Sequence, residues 1–502
     1  MKLGKLLEGM QDHDFTGDPE QEIAGVAYDS RRVQPGFLFV ALRGTRMDGH
    51  AYVEDAIKRG AVALVVEEPM GPLGGAGVVR VADSREALWR IASQFYGHPT
   101  RGMRLIGITG TNGKTTTSFL IESMFRAAGV HSGVVGTVNY RFSGKTFPAP
   151  VTTPESLDLL HLLREMSDEG VTDVVMEVSS HALDQKRTGG CPFRVGIFTN
   201  FSRDHLDYHG TMEAYFQAKS LLFTGLNRGG AEPEATAVIN MDDPKGEELV
   251  AMTRARVVTY GLGQRCQVRA HEVIADMEGI RARLLTPSGE RSIRSPLIGE
   301  VNIYNIMAAS AAALCLGMDL DSVAKGIETL RRVPGRLEPV ENERGLQIVV
   351  DYAHTPDALL KAIKALRPMA QGRIITVFGC GGDRDKGKRR EMGRIAGENS
   401  DLVFITSDNP RTEDPETIIS QIETGVKAAG RSFFKNLQDL NTGRPGYLKV
   451  QDRRKAIQGA VSAARDRDLV LIAGKGHEDY QILGYEKRHF DDREEAVLAA
   501  SA

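Results

Sequence analysis

Residues 109–116, Thr-Gly-Thr-Asn-Gly-Lys-Thr-Thr, constrain the fold more than any other stretch of this chain. They follow a short apolar run at 105–108 and precede a helical pattern in which Leu120 and Met124 share one face. In the order strand, glycine-rich turn, Lys-Thr and helix, backbone N–H groups and the helix N-terminus can surround phosphate oxygens. The stretch therefore predicts a nucleotide-phosphate site on a strand–loop–helix unit.

This loop departs from the standard phosphate-loop pattern at one position, because Ile108 stands where a glycine is usual. A plain strand-to-helix turn that contains Gly-Lys is the alternative. The strand and helix on either side favour phosphate binding, in which Lys114 reaches the β- and γ-phosphates and the Thr115 hydroxyl holds Mg²⁺.

Composition limits the classes of protein that remain. At 502 residues the chain should hold about three domains. A net charge of −3 provides no basic field for nucleic acid, and no apolar run reaches the ~18 residues of a membrane span. Four scattered cysteines without a CxxC pair indicate free thiols in a reducing compartment. With no signal-peptide pattern at the N-terminus, we expect a cytoplasmic enzyme without nucleic-acid partner or membrane insertion.

The pattern of apolar runs divides the chain into three α/β units, which we expect at 1–101, 102–335 and 336–502. Strands and helices alternate in the second unit as in a parallel sheet. In the third unit, four apolar strands each lead into a polar loop, and such loops meet at the carboxyl edge of an open sheet. These four strands are predicted at 346–351, 373–378, 402–406 and 469–473. A long irregular surface loop is predicted at 431–447.

Two polar clusters follow strands of the second unit. Glu177 ends one strand, where it is either a helix-capping carboxylate or a metal ligand, and its place beside the phosphate-loop strand favours the metal. The other cluster has two histidines and two aspartates within residues 204–209. His205 is a candidate metal ligand there, and a solvated loop is the alternative.

Lys219 lies in an apolar stripe of a predicted helix at 212–223. Most lysines in such a stripe extend to water. A buried one has a lowered pKa, and its neutral amine can react with CO₂ to form an anionic carbamate.

Charged side chains in the loops of the third unit suit an amino-acid ligand. Arg384 and Arg411 can hold a carboxylate through paired hydrogen bonds, and Asp408 with Glu478 can hold an ammonium group. The turn-forming Asp-Asn-Pro of 408–410 has a purely structural alternative.

Taken together and in this order, these motifs resemble those of the Mur ligases over essentially the whole chain. The motifs that carry the resemblance are residues 110–116, Glu-Val-Ser-Ser-His at 177–181, Asp-His-Leu-Asp-Tyr-His at 204–209, 302–305, Asp-Tyr-Ala-His-Thr-Pro at 351–356 and Asp-Asn-Pro-Arg at 408–411. The last of these is similar to the motif of the family members that select meso-diaminopimelate.

The resemblance implies three domains, with a central ATPase sheet and a Rossmann-like C-terminal domain. It implies an ATP-dependent amide ligase, a monomer, that adds meso-2,6-diaminopimelate to the D-glutamate of UDP-N-acetylmuramoyl-L-alanyl-D-glutamate through an acyl phosphate, in peptidoglycan precursor synthesis. The alternatives are a lysine-adding relative, a ligase like folylpolyglutamate synthase and, outside the enzymes, a nucleotide-binding switch.

The resemblance also implies roles for individual residues. Lys219 matches the family's carbamylated lysine, which positions Mg²⁺ with Glu177 and His205, while Thr115 serves another Mg²⁺. Lys114, Lys219 and His205 are the catalytic candidates. The ATP candidates are Gly110, Thr111, Asn112, Gly113, Lys114, Thr115, Thr116, Asn302, Arg336 and Asp351. The candidates for the UDP-muramoyl-dipeptide are Tyr28, Ser30, Thr45, Arg46, Met47, Thr152, Thr153, Ser179, Gln185 and Arg187. The diaminopimelate candidates are Arg384, Asp408, Asn409, Pro410, Arg411, Gly474 and Glu478.

Overall fold

Three α/β layers follow one another along the chain, each on its own parallel or mostly parallel sheet. The computed structural model describes residues 1–10, 12–44, 47–70, 75–227, 234–442 and 444–501. The predicted α/β class is confirmed, and the three layers match the three-domain architecture expected from the sequence.

The N-terminal layer has a five-stranded sheet. Its strands are parallel except His13–Thr16, which runs antiparallel to its neighbour. In spatial order they are His13–Thr16, Gly77–Val81, Ala61–Val66, Phe37–Val40 and Gly25–Ala27. The helices are Leu3–Leu6, Val53–Lys58 and Ser84–Phe95, with 3₁₀ turns at Ser30–Arg32 and Gly49–Tyr52.

The central layer has an eight-stranded sheet with the phosphate-loop strand inside it. Six strands are parallel, and a hairpin extends one edge. In spatial order the strands are Arg256–Tyr260, Thr236–Asn240, Phe193–Phe198, Arg104–Thr109, Asp173–Glu177, Ser132–Val135, Asn139–Phe142 and Lys145–Pro148. The helices are Lys114–Ala127, Ser156–Asp168, Ser180–Asp184, Leu206–His209, Met212–Thr224, Gly246–Met252, Val301–Cys315 and Leu320–Thr329.

The order of the central strands explains why its polar loops meet. The phosphate-loop strand Arg104–Thr109 lies between Asp173–Glu177 and Phe193–Phe198, so the loops after all three open at the same edge. A separate antiparallel sheet of Arg269–Asp276, Gly279–Thr286 and Gly289–Ser295 follows.

The C-terminal layer has a seven-stranded sheet, parallel except at one edge. In spatial order its strands are Glu338–Pro339, Gln347–Asp351, Leu469–Ala473, Ile374–Phe378, Leu402–Ile405, Gly446–Lys449 and Ser432–Phe433. A hairpin of Tyr480–Leu483 and Glu486–His489 follows the last long strand. The helices are Pro356–Leu366, Gly387–Asn399, Pro415–Ala428, Arg453–Ala463 and Asp492–Ser501.

The prediction of an irregular surface loop at 431–447 was wrong at both ends of the stretch, whereas residues 435–438 are exposed as predicted. The stretch contains the strand Ser432–Phe433, a 3₁₀ turn at Leu437–Thr442 and the start of the strand Gly446–Lys449. Tyr447 is fully buried, and its hydroxyl donates to Glu423 at 2.7 Å. The strand was missed because the residues before it in the sequence are polar.

Candidate active site

The phosphate loop depends on two glycines at left-handed or open backbone angles. Gly110 has φ 142° and Gly113 has φ 89°. A Cβ atom on Gly110 would lie 1.9 Å from the Thr199 hydroxyl oxygen. A Cβ atom on Gly113 would lie 2.4 Å from Oδ1 of the Asn305 side chain. The loop is therefore closely enclosed by its neighbours, and only glycine fits at these two positions.

The side-chain nitrogens of two lysines donate hydrogen bonds to one carbonyl oxygen of this loop. Lys114 Nζ and Lys219 Nζ each donate to the Gly110 carbonyl at 2.9 Å. Lys219 is 1% exposed, and among the described residues no carboxylate lies within ion-pair distance of it. Burial, and then the nearby charge of Lys114, hold the pKa of Lys219 well below its usual range. Both effects favour the neutral amine of Lys219.

Glu177 meets the phosphate loop through a hydroxyl. Its carboxylate accepts from Thr115 Oγ1 at 3.0 Å and from the Thr137 N–H and hydroxyl, both at 2.9 Å. Arg336 donates to the same Thr115 hydroxyl at 3.1 Å from the other side. A buried carboxylate beside a hydroxyl offers the oxygen ligands that Mg²⁺ prefers, so these residues fit that ion.

His205 lies in the same cleft, at the start of the short helix Leu206–His209. Its ring contacts those of His181 and Tyr215, with centroids 4.9 and 5.9 Å away. Burial lowers the pKa of His205 to about 4, although Asp204 opposes the shift. The imidazole is thus neutral and able to act as a ligand. Within the described ranges, no cluster of three His, Cys, Asp or Glu side chains could hold a metal by itself.

The helix Val301–Cys315 supports the loop from behind. Asn302 donates to the Ile298 carbonyl at 2.7 Å and accepts from Asn305 at 2.8 Å. Asn305 in turn accepts from Thr117 at 3.4 Å, so the predicted adenine residue and the phosphate-loop helix belong to one hydrogen-bond network.

Asp351 and Arg336 contribute from the C-terminal layer. Asp351 accepts from the Leu337 and Ala353 N–H groups at 2.7 and 2.8 Å, and burial raises its pKa. Arg336 stacks on Tyr352 at 4.7 Å, and its buried Nε has no hydrogen-bond partner among the described residues. That free N–H is suited to a phosphate oxygen.

These side chains line one cleft of about 560 Å³ between the central and C-terminal layers. It is lined by every predicted ATP and metal residue except Gly110, whose carbonyl lies beneath it. The sequence did not single out Asp357, which crosses the cleft and accepts from Asn112 at 2.9 Å and Ser202 at 2.6 Å. Further lining residues to which the sequence analysis assigned no individual role are Thr137, Asp242, Asp243, Tyr304, His354 and Lys361.

Residues predicted for the UDP-muramoyl-dipeptide form two groups. Near the phosphate cleft, Thr153 bonds the Glu177 carbonyl at 2.8 Å and accepts from the Ser179 N–H at 3.1 Å. Arg187 donates to the Thr153 carbonyl at 3.1 Å and to Gln185 at 2.7 Å. Thr152 joins them through Thr137, hydroxyl to hydroxyl, at 3.1 Å.

The second group belongs to the N-terminal layer. Tyr28 donates to Asp158 of the central layer, and Ser30 is buried in the following 3₁₀ turn. Met47 is 65% exposed, and Thr45 and Arg46 lie outside the described residues.

The residues predicted for diaminopimelate form a separate cluster at the carboxyl edge of the C-terminal sheet. Asn409 donates to Glu478 at 2.9 Å, and Arg411 donates to the Gly382 carbonyl at 2.8 Å. Gly474 has φ 117°, and a Cβ there would lie 2.8 Å from the Asp408 carboxylate. Pro410 lies between these residues, and Arg384 is exposed beside Gly381.

A fully buried lysine that the sequence did not single out completes this cluster. Lys475 Nζ lies 3.7 Å from Asp408 and 3.4 Å from Glu478. Its charge helps to hold the pKa of Asp408 below the usual range against burial, whereas burial raises the pKa of Glu478. Two carboxylates and one lysine leave a site suited to one more ammonium group.

Comparison with known proteins gives three family matches along the chain. Models of the Mur ligase family catalytic domain, the Mur ligase middle domain and the Mur ligase glutamate ligase domain match residues 22–96, 108–313 and 335–476. Two relatives have the same name, UDP-N-acetylmuramoyl-L-alanyl-D-glutamate–2,6-diaminopimelate ligase. That of Geobacter metallireducens is 50% identical over 99% of this chain and 98% of its own, and that of Geobacillus kaustophilus is 45% identical over 99% of each.

Solved structures agree with this. A structure of a UDP-N-acetylmuramoyl-L-alanyl-D-glutamate–2,6-diaminopimelate ligase superposes with a TM-score of 0.69 at 32% identity, covering 100% of this chain and 99% of its own. A Mycobacterium tuberculosis folylpolyglutamate synthase complexed with ADP and AMPPCP has a TM-score of 0.62 at 20% identity, covering 78% of this chain and 92% of its own. The second likeness is one of fold.

Proposed function

Because the chain belongs to the Mur ligase family, we infer that it is an ATP-dependent ligase that adds meso-2,6-diaminopimelate to the D-glutamate of UDP-N-acetylmuramoyl-L-alanyl-D-glutamate in peptidoglycan precursor synthesis. One observation supports this most directly. The carboxyl edge of the C-terminal sheet carries both Asp351, which lines the phosphate-loop cleft, and the Asp408–Arg411 segment, which suits an amino-acid zwitterion.

In the proposed first step, the D-glutamate carboxylate attacks the γ-phosphorus of ATP, the acyl phosphate forms and ADP leaves. Lys114 and the loop N–H groups bind the triphosphate, and the free Nε of Arg336 meets the same charge from the C-terminal side. Thr152, Thr153, Ser179, Gln185 and Arg187 hold the muramoyl dipeptide beside the loop. Asn302 and Asp351 face the adenine and the ribose.

We propose that Lys219 acts as a carbamate. Its neutral amine attacks CO₂, a nitrogen–carbon bond forms and the nitrogen releases one proton, which converts the neutral amine into an anionic carbamate. Thr115, Glu177, His205 and this carbamate would hold Mg²⁺, which supplies charge neutralisation to the phosphates. The feature that supports this proposal is the buried Nζ of Lys219, which has no carboxylate partner in the part of the chain that the structure describes.

In the second step the diaminopimelate amine attacks the acyl carbon, a carbon–nitrogen bond forms and phosphate leaves. Asp408, Asn409, Glu478 and Gly474 bind the distal ammonium group, and Arg411 with Arg384 binds the distal carboxylate. Holding both reactants in place can supply roughly 7–11 kcal/mol of the barrier reduction.

We propose that 1–101 binds the UDP moiety through Tyr28, Ser30 and residues 45–47, that 102–335 binds ATP and that 336–502 binds diaminopimelate. We further propose a cytoplasmic monomer. Within the described part of the chain no helix has the length and apolarity needed to cross a membrane. The four cysteines are free.

A phosphate-release assay with a panel of amines tests the proposal. Turnover should require ATP, the UDP-muramoyl-dipeptide and meso-diaminopimelate together. Equal or faster turnover with L-lysine would reassign the amine specificity. Nucleotide binding without turnover under any combination would refute a ligase.

A further inference from the structure

The hairpin of Tyr480–Leu483 and Glu486–His489 is fastened to the Asp408–Arg411 segment. Gln481 Nε2 donates to the Asp408 carbonyl at 2.6 Å, and the Ile482 N–H donates to the Asn409 side chain at 2.9 Å. Two backbone bonds follow: Arg411 N–H to the Ile482 carbonyl at 3.1 Å, and Gly484 N–H to the Arg411 carbonyl at 2.8 Å. Three of the four candidates in this segment, Asp408, Asn409 and Arg411, are thus attached to the hairpin.

These bonds hold Arg411 in an unusual conformation. Its φ is 52°, in the left-handed region that non-glycine residues rarely adopt. The conformation persists because both backbone polar groups of Arg411 are paired with the hairpin. It also sets the direction of the guanidinium, which donates to the Gly382 carbonyl at 2.8 Å.

Among the described residues, Gln481 is the one hairpin residue whose side chain hydrogen-bonds this segment. Asp408 and Asn409 are 6% and 4% exposed, so the segment they belong to has little freedom once the hairpin is attached. Removing the Gln481 amide frees the start of the segment and leaves the Asp408 carbonyl without that donor.

We propose that Gln481 is a positioning residue for amine-substrate selection, acting through the Asp408–Arg411 segment that the hairpin clamps. The proposal rests on the proposed function, because it concerns how that ligase recognises the distal end of diaminopimelate. It assigns no contact between Gln481 and substrate. The hairpin fixes where the arginine guanidinium and the Asp408 carboxylate meet the distal carboxylate and ammonium groups.

The test compares Gln481→Met, which keeps size but removes the donor, with Gln481→Glu, which replaces the donor by an acceptor facing a carbonyl. In steady-state phosphate release, we expect the KM for meso-diaminopimelate to rise about tenfold. The KM values for ATP and for the UDP-muramoyl-dipeptide should stay within about twofold, because those sites are not attached to the hairpin. Arg411→Ala, measured in parallel, should show the same pattern with a larger rise.

A second readout separates selection from folding. The ratio of kcat/KM for meso-diaminopimelate to that for L-lysine should fall in both variants, since lysine lacks the distal carboxylate. Tyr485→Ala, at the 96% exposed hairpin tip, is the matched control and should change neither ratio nor melting temperature.

An unchanged diaminopimelate KM, or an equal loss toward all substrates, would overturn the proposal. Failure of both variants to fold would do the same, because it would assign Gln481 to the fold instead of to selection. Failure of the proposed function is distinguishable, because the unmodified protein would then show no diaminopimelate-dependent turnover, and this inference would fall with it.

Discussion

Lys114 and Lys219 both donate to the Gly110 carbonyl, but they differ in whether a bound substrate would compensate their charge. Lys114 belongs to the phosphate loop, so a bound triphosphate would compensate its charge. Lys219 comes from the helix Met212–Thr224, and its Nζ lies 4.5 Å from the centre of the Tyr215 ring. Carbamate formation would place a negative charge beside the Lys114 ammonium, so the two side chains would attract each other.

We predict that Lys219→Ala lowers kcat by about 10²–10³-fold, the range for loss of one preorganised electrostatic group. Added bicarbonate should not restore activity, since no amine remains. Lys245→Ala is the control, because Lys245 also lies over a ring, Phe216, but is paired with Glu248 at 2.5 Å. Phosphate release at saturating substrates measures both, and full activity of Lys219→Ala would refute the carbamate.

Residues of the candidate site could be proposed from the sequence where the chemistry is local. The phosphate-loop glycines, Thr115 and Lys114 follow from one motif, and Glu177 from the end of a strand. Lys475 and Gln481 were not recognised, because their importance lies in partners more than 60 residues away, at 3.3 Å from Asn409 and 2.6 Å from Asp408. No spacing rule connects such pairs.

At the scale of elements, the helix Pro356–Leu366 joins the two halves of the cleft. Asp357 in its first turn accepts from Asn112 and Ser202 of the central layer, and Lys361 pairs with it at 2.8 Å. This carboxylate is placed so that it fixes the phosphate loop relative to the C-terminal sheet.

We predict that Asp357→Ala raises the KM for ATP roughly three- to tenfold and lowers the melting temperature, because two donors lose a charged acceptor worth about 1.5–3 kcal/mol. Glu416→Ala is the matched control. It removes an acid at the same position after a proline, in the helix Pro415–Ala428, where its partner is the surface Lys449 at 3.4 Å. Steady-state kinetics and thermal melts compare them, and equal effects in the two variants would argue against the bridging role.

The elements themselves were largely visible in the sequence, and their arrangement was not. Strands at 346–351, 373–378, 402–406 and 469–473 were found within about one residue, because parallel strands buried on both faces are continuous apolar runs. The strand Leu469–Ala473 lies between Gln347–Asp351 and Ile374–Phe378. This order could not be predicted, because it depends on packing between distant segments. The strands within 431–447 lie at one edge of this sheet, and their positions also depend on packing against distant segments.

At the scale of the whole molecule, the proposed sites for ATP and for the amine substrate lie in different layers, so the proposed reaction requires the two ligands to meet. Gly335 lies where the proposed central and C-terminal domains join. It has φ 64°, and its carbonyl accepts from Tyr352 N–H at 2.8 Å. A Cβ at this position would lie 2.1 Å from the His477 nitrogen and 2.3 Å from the Gly476 carbonyl carbon. The glycine therefore lets the backbone before Arg336 touch the loop that carries Glu478.

We predict that Gly335→Ala lowers kcat at least tenfold and raises the KM for diaminopimelate, because the added methyl separates Arg336 from the Gly474–Glu478 loop. Gly345→Ala isolates the backbone cost, since Gly345 has a matching φ of 65° and nothing within 4 Å of an added Cβ. Both variants should lose about 1 kcal/mol of stability from the left-handed angle. Only Gly335→Ala should lose more melting temperature than this and also lose phosphate release. The two positions share the backbone strain, but only an added Cβ at Gly335 meets neighbouring atoms. An equal loss of activity in Gly345→Ala would contradict this prediction. It would mean that the close approach of Gly335 to the Gly474–Glu478 loop is not what the activity requires.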